Sequence, residues 1–258
     1  MKKLLLATAA AAVLFSAEAL AGSILIVNGS SSTSEVGTTS SITTQLSNLH
    51  IAAGNTVTIA DTVPGSFGGF NQIWDIRFSN AGAMTGGEQA QYLAFLQSGG
   101  GMFVMGENSF FTSRNNSVLA LIDDATGDSL TFTTPDSTQT VLAPFTGPNT
   151  IAGNIVSYSA PGGVTSAGTT GQYISVDGSS NGTGVAWGVG DMANASAGAL
   201  TAIFDVNFMQ TDANAESQAL LRNLISFVDV EVNETPEPAS LLIFGVGIAA
   251  LAARRRRA

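Results

Sequence analysis

The run YLAFLQSGGGMFVMGEN, Tyr92 to Asn108, ends a helix and starts a buried strand with only glycine between them. Tyr92, Leu93 and Leu96 fall at the three- and four-residue spacing of one helix face, whereas residues 102–105 (MFVM) form a short continuous apolar run, as in a strand buried on both faces. Gly99, Gly100 and Gly101 supply the left-handed backbone angles that stop the helix. Upstream, Thr85-Gly86-Gly87-Glu88 has the spacing of a capping box, in which the hydroxyl accepts an early N–H and the carboxylate reaches back to the cap. The strand stops at Gly106-Glu107-Asn108.

Outward from this unit the same grammar repeats. Residues 23–27 (SILIV) read as a buried strand closed by Asn28-Gly29, and a Ser/Thr-rich loop follows to residue 41. Ile42, Leu46 and Leu49 mark a helix that Gly54 and Asn55 end. Strands are expected at 56–60 and 72–76, with a glycine-rich turn at 65–69 between them, and a short helix at 114–122 carrying Val118, Leu119 and Leu121. This β, α, β, β, α, β, α succession predicts an α/β fold: a mostly parallel sheet with helices on both faces. From about 130 to 190 the pattern changes to short alternating stretches, read as a β-rich insertion or edge extension, with a hairpin turn within 178–184 around Asn181-Gly182. A buried strand at 199–204 and a closing helix at 214–228, with Leu220, Leu221, Leu224, Ile225 and Val228 on one face, complete a single domain over 22–229. Residues 230–235 are expected to be a linker.

The two ends carry export signals. Lys2 and Lys3, an apolar run at 4–15 and small residues up to Ala21 follow the layout of a secretory signal peptide, assigned to 1–21. At the other end, Pro236-Glu237-Pro238 precedes the uncharged run 239–253, and then Arg254, Arg255, Arg256 and Arg257. As a helix that run would rise roughly 22 Å, short of a hydrocarbon core of about 30 Å, so a single C-terminal transmembrane helix here is a marginal anchor. The arginines snorkel to headgroups and hold their end on the cytoplasmic side, leaving the body outside. An ordinary C-terminal anchor is the alternative on physical grounds. The order of Pro-Glu-Pro, apolar helix and arginine run over 236–258 resembles the PEP-CTERM sorting signal. That resemblance implies an exosortase-type processing enzyme as partner, transient residence in the inner membrane, and delivery to the cell envelope, the surface or an exopolysaccharide (biofilm) matrix.

Between the ends, three basic residues, Arg77, Arg114 and Arg222, face 17 acids over 22–235, a formal charge of −14. Nucleic acid is excluded as a partner, since binding it depends on neutralising phosphates with Lys and Arg. Charged residues make up only 11% of the chain, so hydroxyls and amides must build its solvated surface, which suits a hydrated polysaccharide as partner. The absence of cysteine removes disulfides and thiol chemistry, and no cofactor is implied. Asp123-Asp124-Ala125-Thr126-Gly127-Asp128 lacks the alternation and terminal Glu of an EF-hand loop and reads as a solvated turn. His50, the only histidine, makes no zinc site alone and is read as completing a helix end.

The segments QIWDIR, YLAFLQSGGGMFVMGEN, AIFDVNF and NLISFV, spread over roughly 23–122 and 199–229, resemble the class I glutamine amidotransferase-like superfamily, especially its trehalose-utilisation-type branch. The resemblance implies a flavodoxin-like three-layer sandwich. It also implies a nucleophile, usually Cys, on a sharp turn after the fourth strand; this chain has Glu107 there, so the thiol mechanism is absent. In open α/β sheets ligands collect outside the carboxyl ends of the strands, where the assigned strands place Asn28, Arg77, Glu107, Asn108, Asp205 and Asn207. These six are expected to converge on a polar pocket; strand-terminal polar residues of this kind cap helices and satisfy turns, and the alternative is a ligand site with Glu107 as a base or, with Asp205, a cation ligand. No catalytic residue or metal site is assigned. The expected function is that of an exported, non-enzymatic binding or structural protein, against a carboxylate-dependent glycan hydrolase or lyase, or a carbohydrate-binding protein.

Overall fold

The computed structural model describes residues 22–210 and 213–233. The signal segment expected at 1–21 and the sorting motif and transmembrane helix expected at 236–258 lie outside the described residues. Among the described residues no helix is long and apolar enough to cross a membrane.

The first half runs β1 (Ser23–Val27), α1 (Val36–Ala52), β2 (Thr56–Ala60), β3 (Gln72–Asp75), α2 (Gly86–Gln97), β4 (Gly101–Met105) and α3 (Thr112–Thr126). The second half adds β5 (Phe132–Thr133), β6 (Thr138–Val141), β7 (Ile155–Ser157), β8 (Gly163–Val164), β9 (Gln172–Val176), β10 (Gly184–Trp187), β11 (Ala199–Ile203) and α4 (Ala215–Asn233). One nine-stranded sheet takes the order β2-β1-β3-β4-β11-β10-β9-β6-β7. From β2 to β11 every neighbouring pair is parallel, and from β11 to β7 every pair is antiparallel. The parallel half has the flavodoxin-like order 2-1-3-4-5, with β11 fifth.

Because successive strand side chains point to opposite faces, each buried strand feeds two cores. Ile24, Ile26, Trp74, Phe103 and Ile203 pack beneath α1 and α4, while Leu25, Val27, Ile73, Met102 and Ala202 pack beneath α2 and α3. That two-sided burial is why these strands read as unbroken apolar runs, and it makes the body a three-layer α/β sandwich.

The structure corrects several boundaries. Helix α1 starts inside the expected loop, because Thr39 and Thr43 are buried and carry the stripe of Ile42, Leu46 and His50 back one turn. Thr43 satisfies its hydroxyl by donating to the Thr39 carbonyl at 2.7 Å. Helix α3 is longer at both ends than 114–122, so Asp123 and Asp124 lie in its last turn rather than in a solvated turn, and Gly127 closes it with a φ of 77°. The 130–190 region is an edge extension of the same sheet plus the small β5–β8 pair. Its hairpin turn is present, but the positive φ falls on Ser180, while Asp177 Oδ1 accepts from the N–H groups of Ser179 and Asn181. The linker expected from residue 230 is helical to Asn233, since Glu231 accepts from the Val189 N–H at 2.6 Å and Val232 packs where a side chain on Gly101 would stand.

Candidate functional site

Two clusters of charge sit at the carboxyl ends of the parallel strands. The first is built on Asp75, the last residue of β3 and fully buried. Arg77 donates to it from Nε at 3.0 Å and from Nη2 at 2.8 Å, Tyr92 donates from its hydroxyl at 3.0 Å, and Arg114 lies 3.2 Å away. Arg77 reaches on to Glu88 at 2.8 Å, and Arg114 donates to the carbonyls of Met105 and Gly82. Burial pushes the Asp75 carboxyl up, but the Arg114 and Arg77 guanidiniums outweigh it and hold the group below the usual carboxylate range. Two cations and two carboxylates thus neutralise one another inside the protein, and Arg77 is spent on structure.

The second cluster joins β4 to β11. Glu107 Oε1 accepts from the Asn108 backbone N–H at 2.8 Å and from its Nδ2 at 2.9 Å, and Oε2 accepts from the Val206 N–H at 2.9 Å. Asp205 Oδ2 accepts from Ser159 N–H at 2.8 Å, and Oδ1 from Asn207 N–H at 2.9 Å. Among the described residues no cation pairs with either carboxylate. Burial raises Glu107 to about 7, against the hydrogen bonds from Asn108 and Val206 and with help from the charges of Asp205 and Glu35. Burial likewise raises Asp205 to about 6 despite its two backbone hydrogen bonds. Carboxylates raised in this way fall in the range where a side chain can act as an acid or a base.

The six expected residues therefore do not form one pocket. Glu107, Asn108, Asp205 and Asn207 come together, Arg77 belongs to the Asp75 cluster, and Asn28 stays at β1, where it donates to Thr43 and accepts from the Ser30 N–H. The reason is that these side chains turn inward onto backbone groups and buried charges that need partners. The second half of the chain also crosses over them: a Cβ on Gly162 would stand 2.4 Å from the Glu107 carbonyl oxygen. At the switch point between β1 and β3, where a flavodoxin-like sheet opens a crevice, the β1 loop fills it, and a Cβ on Gly29 (φ 60°) would stand 2.7 Å from Arg77 Cγ. Asn207 alone of the six lines a described cavity, of about 320 Å³, shared with Ser157, Tyr158, Ser159, Gln210 and Ser217.

Glu107 also lacks the strain of a nucleophile elbow. Among the described non-glycine residues only Asn154 and Ser180 have positive φ. Among the described residues no group of His, Cys, Asp and Glu could hold a metal ion. His50 is buried edge-on to Trp74, and burial lowers its imidazole to about 3, so it stays neutral. Sequence reasoning missed Asp75, Tyr92 and Arg114. The available signal was an acid inside the buried run QIWDIR, in a body with only three bases to match it.

The tail is identified by comparison. Residues 234–257 match the PEP-CTERM protein-sorting motif. The PEP-CTERM motif implies processing by an exosortase, with export and attachment at the cell envelope or surface, and it speaks for the tail alone. For the body, no curated protein matches the sequence. Among solved structures it is similar to the N-terminal domain of mmIFT52, at 12% identity and a TM-score of 0.55, over 80% of this chain and 96% of that one. A ThuA-like protein from Bacteroides uniformis aligns at 13% identity and a TM-score of 0.51, over 80% and 90% of the two chains. The exo-β-1,4-mannosidase Op5Man5 from an Opitutaceae bacterium aligns at 12% and 0.51, over 81% of this chain but 36% of that one. These likenesses show a shared α/β fold.

Proposed function

We propose that the body is a non-catalytic binding or structural domain, delivered by the PEP-CTERM tail to the cell surface or its exopolysaccharide matrix, with 239–253 as a temporary helical tether. The observation that carries the non-catalytic reading is the engagement of Glu107 and Asp205. Each of their four carboxylate oxygens accepts a backbone N–H, and the two residues are 1% and 0% exposed. A general base must reach the proton it removes, within about 3 Å or through one water. The hydroxyl- and amide-rich surface supports a neutral glycan as the bound partner, and the body's negative charge disfavours an acidic one.

A second reading, a carboxylate-dependent glycan hydrolase or lyase, draws on the raised Glu107 and Asp205 pair beside the cavity that Asn207 lines. The Glu107→Gln variant separates the two. Saturable retention of wild type and variant alike on a neutral-glycan column, with no release of reducing ends, supports the binding domain. Turnover by wild type that the variant lowers at least about 100-fold supports the enzyme instead.

A further inference from the structure

The sheet has two edges, and only one is guarded. Strand β7 is three residues long and enters through Asn154 in a left-handed conformation, so it offers little to pair with. Strand β2, TVTIA, is five residues long, with no charge, proline or bulge, and it pairs with β1 on one side only. The Thr56 N–H donates to the Gly22 carbonyl and the Ala60 carbonyl accepts from the Asn28 N–H. In a parallel ladder these groups alternate, so residues 56, 58 and 60 face β1 while the N–H and C=O of Val57 and Ile59 face outward. No other described segment bonds to them. Ile59 is 51% exposed beside them.

We infer that β2 is an interaction edge whose partner is β2 of a second copy of this chain, paired antiparallel about a two-fold axis at Thr58. The strand is self-complementary in that register. Val57 opposes Ile59 of the second copy, and Ile59 opposes Val57, so the outward-facing groups meet in hydrogen-bonded pairs. Thr58 opposes itself as a close, non-hydrogen-bonded pair, and Thr56 opposes Ala60. The half-buried Val57, which packs on the core beneath α1 and α4, meets the exposed Ile59 on the same face. Like charges do not meet: the next acid, Asp61, would oppose Asn55, and it is already turned onto Ser30 and Ser31. The two bodies repel through their net negative charge, so added salt strengthens the pairing.

The chain has no cysteine, so single introduced thiols report the contact in the exported protein. Under mild oxidation Thr58→Cys is expected to give a covalent dimer on a non-reducing gel, since opposed Cα atoms in such a pair lie within disulfide reach. Ser157→Cys, on β7, is expected to remain monomeric. Adding Ile59→Lys, an edge charge, should lower the Thr58→Cys dimer at least about tenfold. As an independent arm, Thr56→Cys and Ala60→Cys should link when co-expressed and not when expressed singly. A Thr58→Cys chain that stays monomeric, forms a mixed disulfide with another protein, or dimerises no better than Ser157→Cys overturns the assignment. So does failure of the co-expressed pair.

Discussion

At the scale of single residues, buried charge divides this protein into a part that needs its ionised form and a part that resists it. Asp75 holds two guanidiniums, one of them on the fully buried Arg114, so Asp75→Asn would leave Arg114 without an ionic partner and Arg77 with Glu88 alone. The expected loss is about 3–5 kcal/mol of unfolding free energy, read as a lower urea midpoint. Glu107 behaves oppositely. Its folded carboxyl titrates near 7, above its unfolded value, so the folded state holds the extra proton and the stabilisation is present below the unfolded pKa. It is lost as pH rises through about 7, with a slope approaching 1.4 kcal/mol per pH unit (about the value for one proton). The groups facing Glu107 are Asp205 and Glu35, and Tyr158 is the titrating neighbour of Asp205. Glu107→Gln should flatten the fall in stability between about pH 5 and pH 8 in urea titrations, leaving the smaller, earlier contribution of Asp205. An unchanged slope in the variant would count against this account.

At the scale of elements, α2 shows how a local signal becomes structural. Thr85 Oγ1 accepts from the Glu88 N–H at 3.3 Å while Glu88 Oε2 accepts from the Thr85 N–H at 2.7 Å, so the capping box forms as its spacing predicts. Glu88 then spends its other oxygen on Arg77, which ties the helix start to the buried cluster. Thr85→Ala should cost about 1 kcal/mol, measured by chemical denaturation, and should leave the Arg77 pair in place. Helix α1 shows the reverse. Its buried Thr39 and Thr43 give no apolar signal, so its first turns were illegible although they pack as part of the core. Helix α3 hides only its first two residues, Thr112 and Ser113, which are polar and exposed and so add nothing to the apolar stripe.

At the scale of the whole molecule, the body is built on one nine-stranded sheet with two characters. The parallel half carries the α/β layers, and the antiparallel half continues it and crosses back over the Glu107–Asp205 pair. The matched motif at 234–257 makes this body a passenger. Intact-mass measurement of the mature protein from its host should return a chain without residues 1–21 and without 239–258. A mass that retains the arginine run would show that the tail persists as an anchor.

The order of elements, the strands of the parallel half, the capping box and the sorting tail were all legible in the chain. Each is a local pattern, set by periodicity, spacing or a run of one residue type, and needs no distant partner to be read. The pairing of Asp75 with Arg114, the inward turn of Glu107 and Asp205, and the joining of residues 130–190 to the main sheet were decided only in three dimensions. These depend on which groups meet across 39 to 99 positions of chain, where unmet hydrogen bonds and buried charge select the partner and no local pattern records it.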